Sequence, residues 1–573
     1  MAAIVSNNFR SLNAKGFIKD IRSELSNVYI GVGKPTAWQD SDPSLSDFTD
    51  SAAPAPSDTI DNLNQARANM VGIKLLNDND VSHVAPRYDW AAGQVYDTWD
   101  SNDANIFEKR FYVLTNDFKV YKCLDRPTDL TQTSDVPTKV QAAPFNTADG
   151  YTWKYMYTII AADSEKFLTR SYMPVKTLTI STTGVTNSTD VGNVTTLTLV
   201  DENPEIMVGQ RITGSNVNVN TFVTAISGKV VTFTPANSGN AIGGGTALTF
   251  GDFEDTNPLY DQQQAQKDSE PLAGGIDRIE IVGNGGTGYS GNNAAAIATK
   301  LHVIGDGTGA TILEGDVIKS TNGVSRLTTT AAGTGYSVAK IEVEAGLAGT
   351  GLEARAVIAP VSGHGVDPVA ELGGFYVGLN SQISGVDDID IANNQDFRQI
   401  TILKNPTVSD AVQTETAAKA AGSNRGTYRT TKFVTFNGSN GGDAAALTMS
   451  NLLANGKDVL IKGNAVNGTT GALAQAYVVN VDLTTTGSTP RRIYYIQNDL
   501  TGYQAFDTAA AIVYSNDAAP TGSTAGITLG AVGTWGSTEP FDKTSGEILF
   551  LENRDPIQRS NTQIEDIKLI IEF

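Results

Sequence analysis

Cysteine is almost absent: Cys123 is the single one in 573 residues. No internal disulfide framework can staple such a chain, so burial alone must stabilise it. Histidine is nearly as scarce, with His83, His302 and His364 the only three. None has a histidine partner at helical spacing, and one cysteine cannot complete a zinc set, so no metal site and no cofactor is expected. No apolar run approaches the roughly 20 residues that span a bilayer. Met1 to Arg10 lacks a basic stretch followed by an apolar core, so no secretory signal is expected. Positive charge is in deficit, since 41 Lys and Arg face 62 Asp and Glu, giving a formal net charge of −21. Long-range repulsion then opposes nucleic acid and anionic membrane surfaces as partners, and the excess reads most simply as a solvated surface.

What is present favours strands. Glycine is abundant at 56 residues, threonine is frequent, hydrophobic residues make up 40%, and long helical periodicities are rare. The expectation is a mainly β chain with a minor helical share, of about three or four domains. Residues 1–175 read as a first piece of a β-sandwich-like frame. Asn13 is a plausible cap for a short helix with Phe17, Ile18, Ile21 and Leu25 on one face. Val28 to Val32 reads as a strand, closed by Gly33-Lys34-Pro35. Leu63, Met70 and Ile73 predict a helix from about Thr59 to Leu76. Tyr151, Trp153, Tyr155 and Tyr157 alternate onto one face of an aromatic strand.

At about Lys176 the style changes to Thr/Val/Gly-rich strands, predicting an inserted small β domain over 176–270. Then Gly286-Thr287-Gly288-Tyr289-Ser290 returns as Gly333-Thr334-Gly335-Tyr336-Ser337. Each copy is followed by Gly307-Thr308-Gly309-Ala310 or Gly349-Thr350-Gly351-Leu352. Residues 271–365 therefore read as a second inserted piece, a pair of stacked β units. The frame resumes over 366–412, a further β-rich block occupies 413–540, and 541–573 closes the frame. Ile548 to Leu551 reads as a strand buried on both faces, Glu552 to Pro556 as a turn. Ile567, Leu569, Ile571 and Phe573 then share one face of a closing core strand.

Candidate chemistry is thin. Gly283-x-Gly285-x-x-Gly288 matches a dinucleotide fingerprint, but a phosphate cradle needs a helix N-terminus next, and Tyr289 to Asn293 does not supply one. The same run resembles a calcium-binding β-roll repeat, yet Ser290 stands where the carboxylate ligand belongs. No nucleophile elbow surrounds Ser290. A glycosidase carboxylate pair meets only in space and is not legible in a sequence. The aromatic strand suits a packed sheet better than a sugar platform. No catalytic residue is assigned, and the chain is not expected to be an enzyme.

Motifs spread along the whole chain resemble the T-even-type phage baseplate wedge subunit family known as gene product eight. They are Phe9-Arg10; Val28 to Pro35 with Trp38; Pro86-Arg87-Tyr88-Asp89-Trp90; Val120 to Asp125 with Tyr121; and Asp149 to Tyr155 with Gly150, Tyr151 and Trp153. Later come Asp396 to Ile402 with Phe397, Arg398 and Gln399, then Asn405-Pro406, Ser545 to Ile548 with Gly546, and Glu552-Asn553-Arg554. Their order along the chain carries the resemblance, which covers under half of it. It implies a structural β protein of the virion, made in the host cytoplasm and built as a homodimer into each wedge of a contractile tail's baseplate. There it would hold neighbouring wedge subunits in register and move with them when the baseplate rearranges. The motif positions would then be structural or interface residues. Two other readings stay open: a carbohydrate-binding, adhesin-type virion protein using the inserts for glycan contact, and a glycan-cleaving tail enzyme.

Overall fold

Strands dominate the chain, and their ladders are antiparallel. The computed structural model describes residues 4–22, 26–38, 50–127, 131–175, 181–187, 194–203, 206, 210–237, 241–253, 274–360, 363–384, 391–392, 395–407, 426–436, 459–465, 473–482, 491–514, 526–528, 532–535, 541–560 and 562–573. They divide into two units. One comprises Met1–Lys19, Val81–Leu379 and Lys568–Phe573; the other comprises Asp20–Asp80 and Asn380–Ile567.

The second unit is built on a five-stranded sheet with Val28–Gly33 at its centre. From edge to edge the order is Thr427–Arg429, Met70–Leu75, Val28–Gly33, Asp396–Lys404 and Glu547–Gln558. Every residue of the central strand is buried. Gly31 has no alternative there, because a Cβ would lie 2.4 Å from Thr401 Oγ1 on the neighbouring strand. The helix expected to reach Leu76 stops at Asn69. It starts as predicted, with Thr59 Oγ1 accepting from Asn62 N at 3.3 Å. Beyond Asn69, β-branched Val71 and Ile73 join a strand paired along both edges, which outweighs the helical spacing of Met70 and Ile73. Residues 547–558 also depart from expectation. Instead of a doubly buried run and a turn, they form one continuous edge strand, with Leu549 45% exposed. Its register slips between Phe397 and Gln399. Pro556 falls in that irregular stretch at a sheet edge, where its missing N–H costs no ladder bond. The same unit contains a seven-stranded sheet, with Val459–Ala465 and Leu473–Asp482 near its middle. Val434, Ile461, Val478 and Ile493 are fully buried there.

In the first unit a four-stranded sheet runs Tyr112–Leu114, Lys119–Asp125, Thr152–Thr158, Phe145–Asn146. One of its cores holds Tyr121, Cys123, Tyr151, Trp153 and Tyr155; the other holds Phe111, Tyr112, Met156 and Tyr157. Tyr157 therefore leaves the face shared by its three predecessors. The cause is a register shift between Val120 and Tyr121, opposite Tyr157 and Tyr155. These rings are buried to within 1%, so they form a packed core and no surface platform.

Residues 181–253 carry a six-stranded sheet bounded by Val194–Thr198 and Ser181–Val185. Its two edges meet: Asn187 N donates to Thr198 O and Val200 N to Val185 O, both at 2.7 Å. The sheet is closed on itself, which removes its exposed edges. Leu199, Ile212, Val231, Leu248 and Phe250 fill its core.

Residues 274–360 hold the two GTGY copies, and they are not stacked as separate units. Thr287 in the first copy exchanges backbone hydrogen bonds with Thr350 of the second, at 2.8 and 2.9 Å. Thr334 of the second pairs with Thr308 of the first. Each tyrosine lies over the other half's glycine, where a Cβ on Gly349 or Gly307 would fall within 2.5 Å of the Tyr289 or Tyr336 ring. Both tyrosines belong to one core with Ile279, Ile297 and Leu352. The halves are interleaved.

The first helix spans Asn7–Arg22. It begins ahead of Asn13, and Ser6 Oγ accepts from Phe9 N at 3.3 Å as its cap. The closing strand is Ile564–Glu572, with Ile567 and Leu569 buried and Ile571 and Phe573 only partly so. Phe573 packs 5.4 Å from Phe17. Its carbonyl accepts from Arg10 Nε at 2.5 Å, while the Arg10 guanidinium lies 3.6 Å above the Phe375 ring.

Candidate functional site

The motif residues gather in two places. In the second unit Arg398, 4% exposed, is the hub. Its Nε and Nη2 donate to the two oxygens of Asp50 at 2.7 and 2.8 Å, and Nη1 donates to the Pro35 carbonyl at 2.8 Å. Nη2 also reaches Asp396 at 3.1 Å. The fork geometry of arginine makes this two-oxygen contact possible. The Arg398 hydrogen bond holds the Asp50 carboxyl below its ordinary range, against the opposing effect of partial burial. Trp38 Nε1 donates to the Arg554 carbonyl at 3.1 Å. Gln399 Nε2 donates to Asn553 Oδ1 at 3.0 Å, directly across the ladder, and Asn553 Nδ2 donates to Pro54 O at 2.9 Å. Asn405, at φ 49°, accepts from Asn27 N at 2.7 Å. Gly546, at φ 74°, lets the chain pass Pro406, where a Cβ would meet Pro406 Cα at 3.0 Å. Phe397 is buried, and Glu552 stands opposite Ile400. Between Lys34, Trp38, Asn62, Gln399 and Asn553 lies a cleft of about 220 Å³, below the roughly 300–1,000 Å³ of ordinary small-molecule sites.

In the first unit Arg87 joins Asp89 at 2.7 Å and the Thr169 carbonyl at 2.9 Å. Trp90 N donates to Leu114 O at 2.9 Å. Tyr151 stacks on Trp153 at 5.8 Å, and its hydroxyl donates to Thr131 O at 2.8 Å. Tyr121 lies 5.7 Å from Tyr155. Gly150, at φ 89°, makes the turn before this strand. Trp38, Tyr121, Tyr151, Trp153, Phe397, Arg398 and Gln399 all face inward.

A further polar cluster lies in the first unit; Lys122 falls within the Val120 to Asp125 motif, but no motif marks its partners Asp277, His364 and Glu371. Lys122, in the aromatic sheet, is fully buried. Its Nζ lies 2.7 Å from Glu371 Oε2 and 2.8 Å from His364 Nδ1, and 3.8 Å from the centre of the Trp99 ring. His364 Nε2 lies 2.7 Å from Asp277 Oδ2. Gly365 N donates to Glu371 Oε1 at 2.7 Å. Glu371 is on the short helix Pro368–Leu372, capped by Asp367. Burial lowers the Lys122 pKa, with Glu371 opposing it. Burial also opposes the charge on Glu371, but Lys122 and His364 outweigh it and hold that carboxyl at about 2. For His364 burial is outweighed by Asp277, and its pKa rises. These residues lie up to 249 positions apart, so only the fold could reveal them.

The neighbouring surface of 274–360 is charged as well. Arg278 donates to the carbonyls of Trp99 and Leu124, Arg355 forks onto Asp100, and Arg326 pairs with Asp125. The other histidines are ordinary: His83 Nδ1 lies 2.8 Å from Gly374 O, and His302 pairs with Glu344. The Gly283 to Gly288 run forms left-handed turns whose amides are taken by Asn284, Thr350 and Asn322. A five-residue helix, Ala294–Ala298, follows, so a helix does come after the run. Its N-terminus is capped by Asn293, which accepts from Ala296 N at 2.7 Å. Among the described residues, no group of three or more His, Cys, Asp or Glu side chains is arranged to hold a metal ion, and no helix is long and apolar enough to cross a membrane. No protein-family model matches this chain, and no curated protein matches it.

Proposed function

We propose that the chain is a structural wedge subunit of a contractile phage tail baseplate. One observation supports this most: motif residues from Pro35 to Arg554 converge on buried, multiply bonded frameworks, centred on Arg398 and on the Trp153 sheet. Residues held this way position surfaces, and a rigid scaffold with neighbours to keep in register needs such positioning. By the family resemblance the subunit forms a homodimer and joins other wedge subunits.

The test is assembly. Intact tails purified from infected cells should contain the chain at a fixed copy number. Sedimentation equilibrium at micromolar concentration should give twice the 60.5 kDa chain mass. A chain absent from purified tails overturns the reading. Glycan binding or turnover by the free protein would move it to the adhesin or glycan-cleaving class.

A further inference from the structure

The cluster around Lys122 has every part needed for an intramolecular condensation. We propose that Lys122 and Glu371 become joined by an amide bond between Nζ and Cδ, formed by the folded chain itself.

A lysine amine is a nucleophile once it loses its proton, and a dry environment favours that loss. Lys122 is fully buried and already touches the carboxyl it would attack, with Nζ 2.7 Å from Oε2. His364 Nδ1 is 2.8 Å from the same nitrogen, placed to take its proton. Asp277, 2.7 Å from Nε2, orients the ring and stabilises the imidazolium. Gly365 N–H points at Oε1 from 2.7 Å, where negative charge grows as the tetrahedral centre forms. His364 Nδ1 lies 3.7 Å from Oε2, near enough to return a proton to the departing oxygen. Holding amine and carboxyl in contact makes the reaction effectively unimolecular.

The step balances without a co-reactant. Nζ attacks Cδ of the protonated carboxyl and the new C–N bond forms. The Cδ–Oε2 bond breaks, and the oxygen leaves as water with one proton carried over from Nζ through His364. Nothing is oxidised or reduced. The resting pair is ionic, with Glu371 held low by Lys122 and His364, so the amine-and-acid form is a minor species. The bond should therefore accumulate after folding, over a measurable time.

Intact-mass measurement of the denatured full chain tests this directly and needs no variant. The expected chain is lighter than its sequence by one water, and proteolysis releases the Lys122 peptide covalently attached to the Glu371 peptide. Lys122→Met should restore the full mass. Glu371→Gln should give a chain lighter by one ammonia instead, because the amide nitrogen then leaves. His364→Ala should slow the appearance of the link at least tenfold in freshly folded protein; an unchanged rate would overturn the role of His364 as base. A wild-type chain of full mass after prolonged incubation means a buried salt bridge only and overturns the proposal. So does a lost water that maps to any other pair of residues.

Discussion

Arg398 shows what one side chain contributes. It bonds Asp50 through two nitrogens and the Pro35 carbonyl through a third, from a nearly buried position. Arg398→Ala should cost about 3 kcal/mol, the lower end for breaking a buried pair, because Asp50 keeps access to water. Urea unfolding of the whole chain would read this as a lower midpoint for the transition that reports on the five-stranded sheet. The pH dependence has a definite sign. A carboxyl held below its ordinary 3.8 contributes stability that is full above that value and lost as pH falls below it. Arg398→Ala should flatten that acid limb. Cys123 makes the opposite case. Burial raises its thiol pKa far above the usual range, and the thiolate is the reactive form. A thiol reagent should therefore label the native protein only as fast as the aromatic sheet opens. Rapid labelling in native buffer would contradict the buried position.

Among the elements, the interleaved repeat lends itself to a paired comparison. Gly333 and Gly335 both have positive φ, 66° and 77°. A Cβ on Gly335 meets nothing within 4 Å, while one on Gly333 would lie 2.4 Å from Ala310 N. Gly335→Ala should cost about 1–2 kcal/mol, the left-handed penalty alone. Gly333→Ala should cost at least about 2 kcal/mol more, since backbone must move. Amide exchange in Thr308–Thr311 would separate the two.

Legibility follows local chemistry at this scale. The strand Val28–Gly33 and the start of the helix at Thr59 could be read, because each is decided by neighbours in sequence. The switch at Met70 could not, since Leu63, Met70 and Ile73 suit a helix while Val71, Ile73 and Leu75 suit a strand, and only pairing on both edges decides. Pro556 invited a turn because a sequence does not say which strand lies at an edge. The mainly β class was readable from glycine and threonine. The Lys122 cluster was not, because its four charged groups come from three distant segments, with only His364 and Glu371 close in sequence.

For the whole molecule, the closing strand is the best single probe. Ile567 and Leu569 are buried, and each contributes roughly 1.5–3 kcal/mol. Removing Ile564 to Phe573 also takes away the ring packed on Phe17 and the carbonyl held by Arg10. The truncated chain should aggregate or melt well below the intact one in size-exclusion and thermal measurements. A nearly silent deletion would mean that the strand is dispensable.

Lys122 precedes residues 181–253 and 274–360 in the chain, and Glu371 follows both. If the proposed amide joins them, tension arriving along the backbone would meet a covalent shortcut there, one side chain to another. With that amide in place, the closed six-stranded sheet and the interleaved repeat would lie outside the covalent line of pull. Stretching one molecule from its two ends should then extend it without releasing those two β modules, and their release would show that no link is present.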